Sequence, residues 1–94
     1  MKILISPEAK IELKESVRFY EARQKGLGKK LTDSVRNKLT FIASNPLSSE
    51  IKYDDVHVTF LKGFPFSIHY LYEKEKHTIL VAAIFHTSRN PKKN

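Results

Sequence analysis

Ninety-four residues carry 17 Lys or Arg against 10 Asp or Glu, a formal charge of +7, and no cysteine. Those figures exclude a disulfide framework and a thiolate zinc site, and they allow one domain, 1–94, burying roughly two-thirds of its unfolded surface. The apolar opening Ile3-Leu4-Ile5 is too short for a signal peptide or a membrane span, so a soluble, cytoplasmic protein without membrane contact is expected.

Ile3-Leu4-Ile5 reads as a short first strand. Ser6-Pro7 then starts a helix, with a hydroxyl to cap it and proline where a missing N–H costs nothing. Ala9, Leu13, Val17 and Tyr20 form one helical stripe, widened by Phe19 and Ala22, and Glu21–Lys25 is a favourable i,i+4 pair. Gly26-Leu27-Gly28 suits a tight turn with the leucine turned inward. A second stripe follows, Leu31, Val35, Leu39 and Ile42 with Phe41 beside it, and Asn45-Pro46 ends it. Two amphipathic helices on so short a connection lie antiparallel.

After Pro46 the period changes to two. Ile51-Lys52-Tyr53 is an edge strand, and Asp54-Asp55 are turn residues. Val56 to Lys62 alternates, with Val58 and Phe60 on one face and His57 and Thr59 on the other. Phe66 to Tyr72 is a strand, Glu73 to His77 a charged loop, and Ile79 to Phe85 an apolar strand expected mid-sheet and covered on both faces. The fold class is therefore α+β: a short strand, a helical hairpin, then an antiparallel meander packed against the helices. Residues 91–94 read as a frayed tail.

The charge is uneven. Residues 26–45 hold four bases and one acid, and residues 86–94 hold three bases and no acid, so these stretches supply +6 of the +7. Such an excess suggests a polyanion or an acidic protein as partner, with a merely soluble basic protein as the alternative.

The histidines, at 57, 69, 77 and 86, are never spaced to share a helix face, so no metal site is expected, and no cofactor motif is present. His77 sits in a charged loop, and His69 reads as a surface or satisfied buried residue. His57 opens its strand and is a candidate for a cleft. His86 follows the last strand with the parity of Leu80, Ala82 and Ile84, so it emerges where that apolar layer ends. An imidazole there suits proton transfer, and Arg89 suits a bidentate grip on phosphate. A strand cap and a surface ion pair explain the two equally well. Lys62 reaches the same rim if its strand adjoins the last one.

Taken in order, Gly26-Leu27-Gly28, Asn45-Pro46, Phe64-Pro65-Phe66 with Ile68 and Tyr70, and His86 with Arg89 and Pro91 resemble the RelE/ParE toxins of bacterial type II toxin–antitoxin systems. The resemblance runs through nearly the whole chain. It implies a small basic toxin held in an oligomeric complex by a cognate antitoxin. RelE-like members enter the ribosome and cleave mRNA; ParE-like members poison DNA gyrase. The helical hairpin with its glycine turn and the Phe-Pro strand pair are closer to the ParE-like side.

His86 and Arg89 occupy the region where RelE-like enzymes place catalytic groups. On that reading His86, Arg89 and Lys62 are the catalytic set; His57, Lys92 and Lys93 are candidates for touching a target. Two positions depart from the family: His57 stands where arginine is common, and the usual aromatic after the final proline is missing. A non-enzymatic nucleic-acid-binding module using the basic helix and tail is the remaining alternative.

Overall fold

The computed structural model describes residues 1–89, with Arg89 through its backbone only. In chain order these form β1 (Lys2–Ile5), α1 (Pro7–Arg23), α2 (Leu27–Ser44), β2 (Ile51–Tyr53), β3 (Val56–Phe60), β4 (Phe66–Glu73) and β5 (Thr78–His86). The five strands make one sheet in the order β1-β5-β4-β3-β2. It is mixed: β2 to β5 are antiparallel, and β1 runs parallel to β5. The α+β expectation holds, with the parallel seat of β1 as an addition.

Ser6 starts α1 and docks it at once. Its hydroxyl accepts from the Ala9 N–H at 3.1 Å and donates to the Ala82 carbonyl at 2.9 Å, while its own N–H donates to the Val81 carbonyl. The short first strand therefore fixes where the first helix crosses the last strand.

Both helices pack on one face of the sheet. Leu31, Val35 and Ile42 of α2 form a buried cluster with Ile68 and Tyr70 of β4 and Ile79, Val81 and Ile84 of β5. Leu13, Val17 and Tyr20 of α1 pack against that cluster while staying half-buried. Phe19 and Ala22, expected to widen the stripe, lie in solvent instead, because α1 rests on the sheet along a narrow line. Phe19 meets the Arg23 guanidinium at 5.2 Å and the edge of Tyr20.

β5 lies mid-sheet as expected but differs in two features from a strand covered on both faces. The helices cover one face only, and Ala83 and Phe85 on the other are half-buried. The register slips between His69, opposite Ala83, and Tyr70, opposite Val81, so Ala82 is an extra residue. A bulge of this kind moves every later side chain to the opposite face. Ile79, Val81 and Ile84 thus share the core, and His86 lies on their face rather than with Leu80 and Ala82. Because every position from Ile79 to Phe85 is apolar, the run carries no alternation from which to read that slip.

The helical turn is also tighter than expected. Gln24, Lys25 and Gly26 make the connection, and Leu27 and Gly28 already belong to α2. Gly26 takes a left-handed conformation at φ 90, and α2 has neither a side-chain cap of its own nor an acid in its first turn. Glu21 supplies both from the end of α1. Rather than pairing with Lys25, its carboxylate accepts from the N–H of Gly26 at 3.0 and 3.1 Å and of Gly28 at 2.9 Å. Negative charge at a helix N-terminus is favourable for the same reason.

Those donors, Gly26 first and then Gly28, hold the Glu21 carboxyl below its ordinary value of 4.5. A folded-state value lowered in this way contributes stability above the unfolded pKa, and that stability is lost as pH falls through the folded one. Glu21→Gln is therefore expected to be less stable than the parent at about pH 7 and to approach it on acidification below about pH 4. Urea unfolding at both ends of that range reads the difference. A gap independent of pH contradicts the charge argument.

Candidate functional site

The end of β5 meets the β3–β4 turn. Gly63, left-handed at φ 82, turns the chain, the Leu61 N–H donates to the Phe66 carbonyl, and the Thr87 N–H donates to the Pro65 carbonyl at 2.8 Å. His86 sits on this rim with its ring edge against Phe66, centroids 5.1 Å apart. Its Nδ1 accepts from the Ser88 hydroxyl at 2.7 Å and from the Ser88 N–H at 3.3 Å. A backbone donor on Nδ1 makes that nitrogen the acceptor and leaves Nε2 as the donor of the ring.

Beneath His86 lies a cavity of about 430 Å³ between α1 and the sheet, lined by Glu15, Ser16 and Tyr20 on one side and Phe66, His86 and Ser88 on the other. The Ser16 hydroxyl is buried there with no hydrogen-bond partner among the described residues. Glu15 is the one full charge among the described lining residues. No Lys or Arg occurs among the described lining residues, and the hydroxyls of Ser16, Tyr20 and Ser88 stand beside the apolar rings.

Lys62 belongs to a different hollow. It faces α2 across a cleft of about 690 Å³, opposite Lys30, Asn37, Lys38 and Phe41. β4 separates the strand before Lys62 from β5, so Lys62 and His86 share one end of the sheet but line separate cavities.

The uncovered face carries a constellation absent from the sequence reading. His69 Nε2 is 2.9 Å from the Ser67 hydroxyl, and its Nδ1 is 3.1 Å from the Tyr53 hydroxyl. Phe85 meets the ring edge-on at 5.0 Å. Ser67 and His69 are 2 % and 4 % exposed, so this nucleophile-like pair is closed to substrate and works as a fully bonded polar plug. Ser67 and His69 stand at i,i+2 on one strand, which was visible; their meeting with Tyr53 needed the β2–β3 hairpin, which Asp54 and Asp55 turn with φ 45 and 64.

The family profile described as the ParE toxin of the type II toxin–antitoxin system parDE matches residues 3–91. The chain belongs to that toxin family. Its fold is similar to the E. coli RelBE toxin–antitoxin complex, with a TM-score of 0.68 and 15% identity over 88% of this chain and 92% of that one. A chromosomal ParDE system from P. aeruginosa gives a TM-score of 0.67 and 15% identity over 92% and 95%. Both likenesses concern the fold. No curated protein sequence matches the chain.

Placed on this toxin fold, the residues singled out from sequence separate. His86 is at the strand end, and Lys62 is on the α2 side. His57 is 5 % exposed, stacked on Tyr70 at 5.0 Å, with Nδ1 donating to the Ser49 carbonyl at 2.7 Å. It pins the loop between α2 and β2. The Arg89 side chain, Lys92 and Lys93 lie outside the described residues. No group of three metal-binding side chains occurs among the described residues, and none of their helices is long and apolar enough to cross a membrane.

Proposed function

We propose that this toxin acts in the cytoplasm by binding DNA gyrase, and that a cognate antitoxin holds it inactive in an oligomeric complex. One observation carries the choice of target: among the described residues around His86 there is no Lys or Arg, Glu15 being their one full charge, and Lys62 lines a separate hollow. Phosphodiester cleavage requires cations preorganised where charge develops, close to the proton-transfer group. A protein–protein target makes no such demand. The ParE profile match supports the same side, and the toxin–antitoxin complexes of similar fold support the antitoxin.

The expected result is inhibition of gyrase supercoiling by antitoxin-free protein, lifted when the antitoxin is added back. Supercoiling at the uninhibited rate removes the assignment.

A second reading keeps one supporting observation, His86 on the rim of a cavity with Ser88 on its Nδ1. On that reading the chain is a ribosome-dependent mRNA endoribonuclease with His86 as general acid or base, aided by Arg89 and Lys62. The two readings part at His86→Ala. Growth arrest persists in this variant if gyrase is the target; if the residue transfers a proton, mRNA cleavage falls by about 10²–10⁴-fold.

A further inference from the structure

The exposed stripe of α2 is as regular as its buried one. Lys30, Asp33, Asn37, Lys38 and Phe41 recur at helical spacing and, with Lys62 across from them, line the larger cleft. Its charge is one-sided. Asp33 is neutralised along the helix by Lys29 at 2.9 Å and Arg36 at 3.5 Å. Lys30, Lys38 and Lys62 make no salt bridge among the described residues. Phe41 is 50 % exposed, with the Lys38 ammonium 5.6 Å from its ring centre.

One ammonium beside a half-open aromatic ring, with two more lining the same cleft, combines the two elements by which proteins hold single strands: a cationic track for the backbone and a platform for a base. The cations are lysines, point charges suited to phosphate, whereas the arginine that would fork onto a carboxylate is turned to Asp33. Lys30 and Lys38 lie about 12 Å apart along the helix axis, the length of about three to four nucleotides of a stacked strand. A duplex presents its bases edge-on inside its grooves and leaves Phe41 nothing to stack upon.

We propose that this cleft binds a short stretch of single-stranded nucleic acid, with phosphates at Lys30, Lys38 and Lys62 and one base against Phe41. The site uses neither His86 nor the gyrase reading; it shares Lys62 with the ribonuclease reading, and Lys30, Lys38 and Phe41 are its own.

Fluorescence anisotropy of the whole chain with labelled oligo-dT and oligo-rU, and with a duplex of equal length, tests it; melting curves first establish that each variant is folded. Three phosphate contacts predict a log–log salt slope of about −2, an affinity loss of about twentyfold between 50 and 200 mM salt. The triple variant Lys30→Gln, Lys38→Gln, Lys62→Gln should lose that slope. Lys10→Gln, Lys14→Gln, Lys25→Gln removes equal charge from α1 and its turn, and should bind within about twofold of the parent. Phe41→Leu should weaken single strands by about five- to tenfold with the slope unchanged.

Equal losses in the two triple variants overturn the proposal, because the charge effect is then diffuse. Phe41→Leu without effect, together with equal affinity for the duplex, also overturns it. So does displacement of the oligonucleotide by polyglutamate at matched charge, which assigns the cleft to an acidic protein. If the triple lysine variant fails to fold, Lys62→Gln alone, in a turn, and Phe41→Leu carry the same test. Stronger binding of either oligo-rU or oligo-dT supports the site and assigns the sugar it takes.

Discussion

Tyr70→Ala is expected to cost roughly 3–5 kcal/mol of folding free energy. A chain of this length has on the order of 5–14 kcal/mol in total, so the variant approaches the limit of a folded protein. The residue is fully buried and joins three parts of the molecule. Its ring lies in the core with Ile68 and Val81, and His57 stacks on it nearly parallel, at an interplanar angle of 10°. Its hydroxyl donates to the Pro46 carbonyl at 2.9 Å.

Burial pushes the phenol above its ordinary value of 10.0, which keeps it a donor throughout the neutral range. Tyr70→Phe isolates that last contact. It keeps the ring and the stack and loses one hydrogen bond to a half-buried carbonyl, for an expected cost of about 0.5–1.5 kcal/mol. Urea denaturation separates the two. Equal costs for both variants contradict a ring-filled core, since they leave the ring itself without value. A cost near zero for Tyr70→Phe shows that the loop after α2 is held by His57 and Ser49 alone.

This joint also shows which parts of the molecule were legible in the sequence. Ser6-Pro7 and Asn45-Pro46 bracket the helical hairpin because capping and the restriction before proline are local effects, readable from two residues. Asp54-Asp55 mark the β2–β3 turn for the same reason. The alternation of β3 and β4 was plain because polar residues interrupt it. Long-range events left no such trace. The bulge at Ala82 is hidden in an unbroken apolar run, and the parallel seat of β1 depends on where α1 must begin.

The site divides along the same line. That His86 closes the last strand was readable, since an apolar run ends there. That His86 and Lys62 line different cavities was not, because it depends on α1 and α2 lying over opposite parts of the rim. The Ser67–His69–Tyr53 chain required two strand registers at once. The glycine pair shows a middle case: its residues signalled a turn correctly, but the two glycines serve different ends.

Gly28→Val is expected to be the second severe substitution, at roughly 3 kcal/mol or more, against about 1–3 kcal/mol for Gly28→Ala. A Cβ on Gly28 would stand 2.9 Å from the Val17 carbonyl oxygen, 3.0 Å from Glu21 Oε1 and 3.1 Å from Glu21 Cβ. The first of these is backbone of α1, so relief requires the two helices to part. Propensity pulls the other way by less than the about 1 kcal/mol that separates alanine from glycine in a helix interior, because Gly28 lies in the first turn of α2. The close approach decides the sign.

Gly26→Ala provides the contrast. Among the described residues no atom beyond its chain neighbours lies within 4 Å of a Cβ built there, and only the left-handed φ of 90 opposes it, at about 1–2 kcal/mol. A Gly28→Ala variant more stable than the parent would mean that the helices separate at little cost. Coupling to Glu21 gives an independent check. The added methyl displaces the carboxylate from the Gly28 N–H, so Glu21→Gln should cost less in the Gly28→Ala background than in the parent. Additive effects would show that Glu21 is held by Gly26 alone, and that the crossing of the two helices and the capping of the second are separate devices.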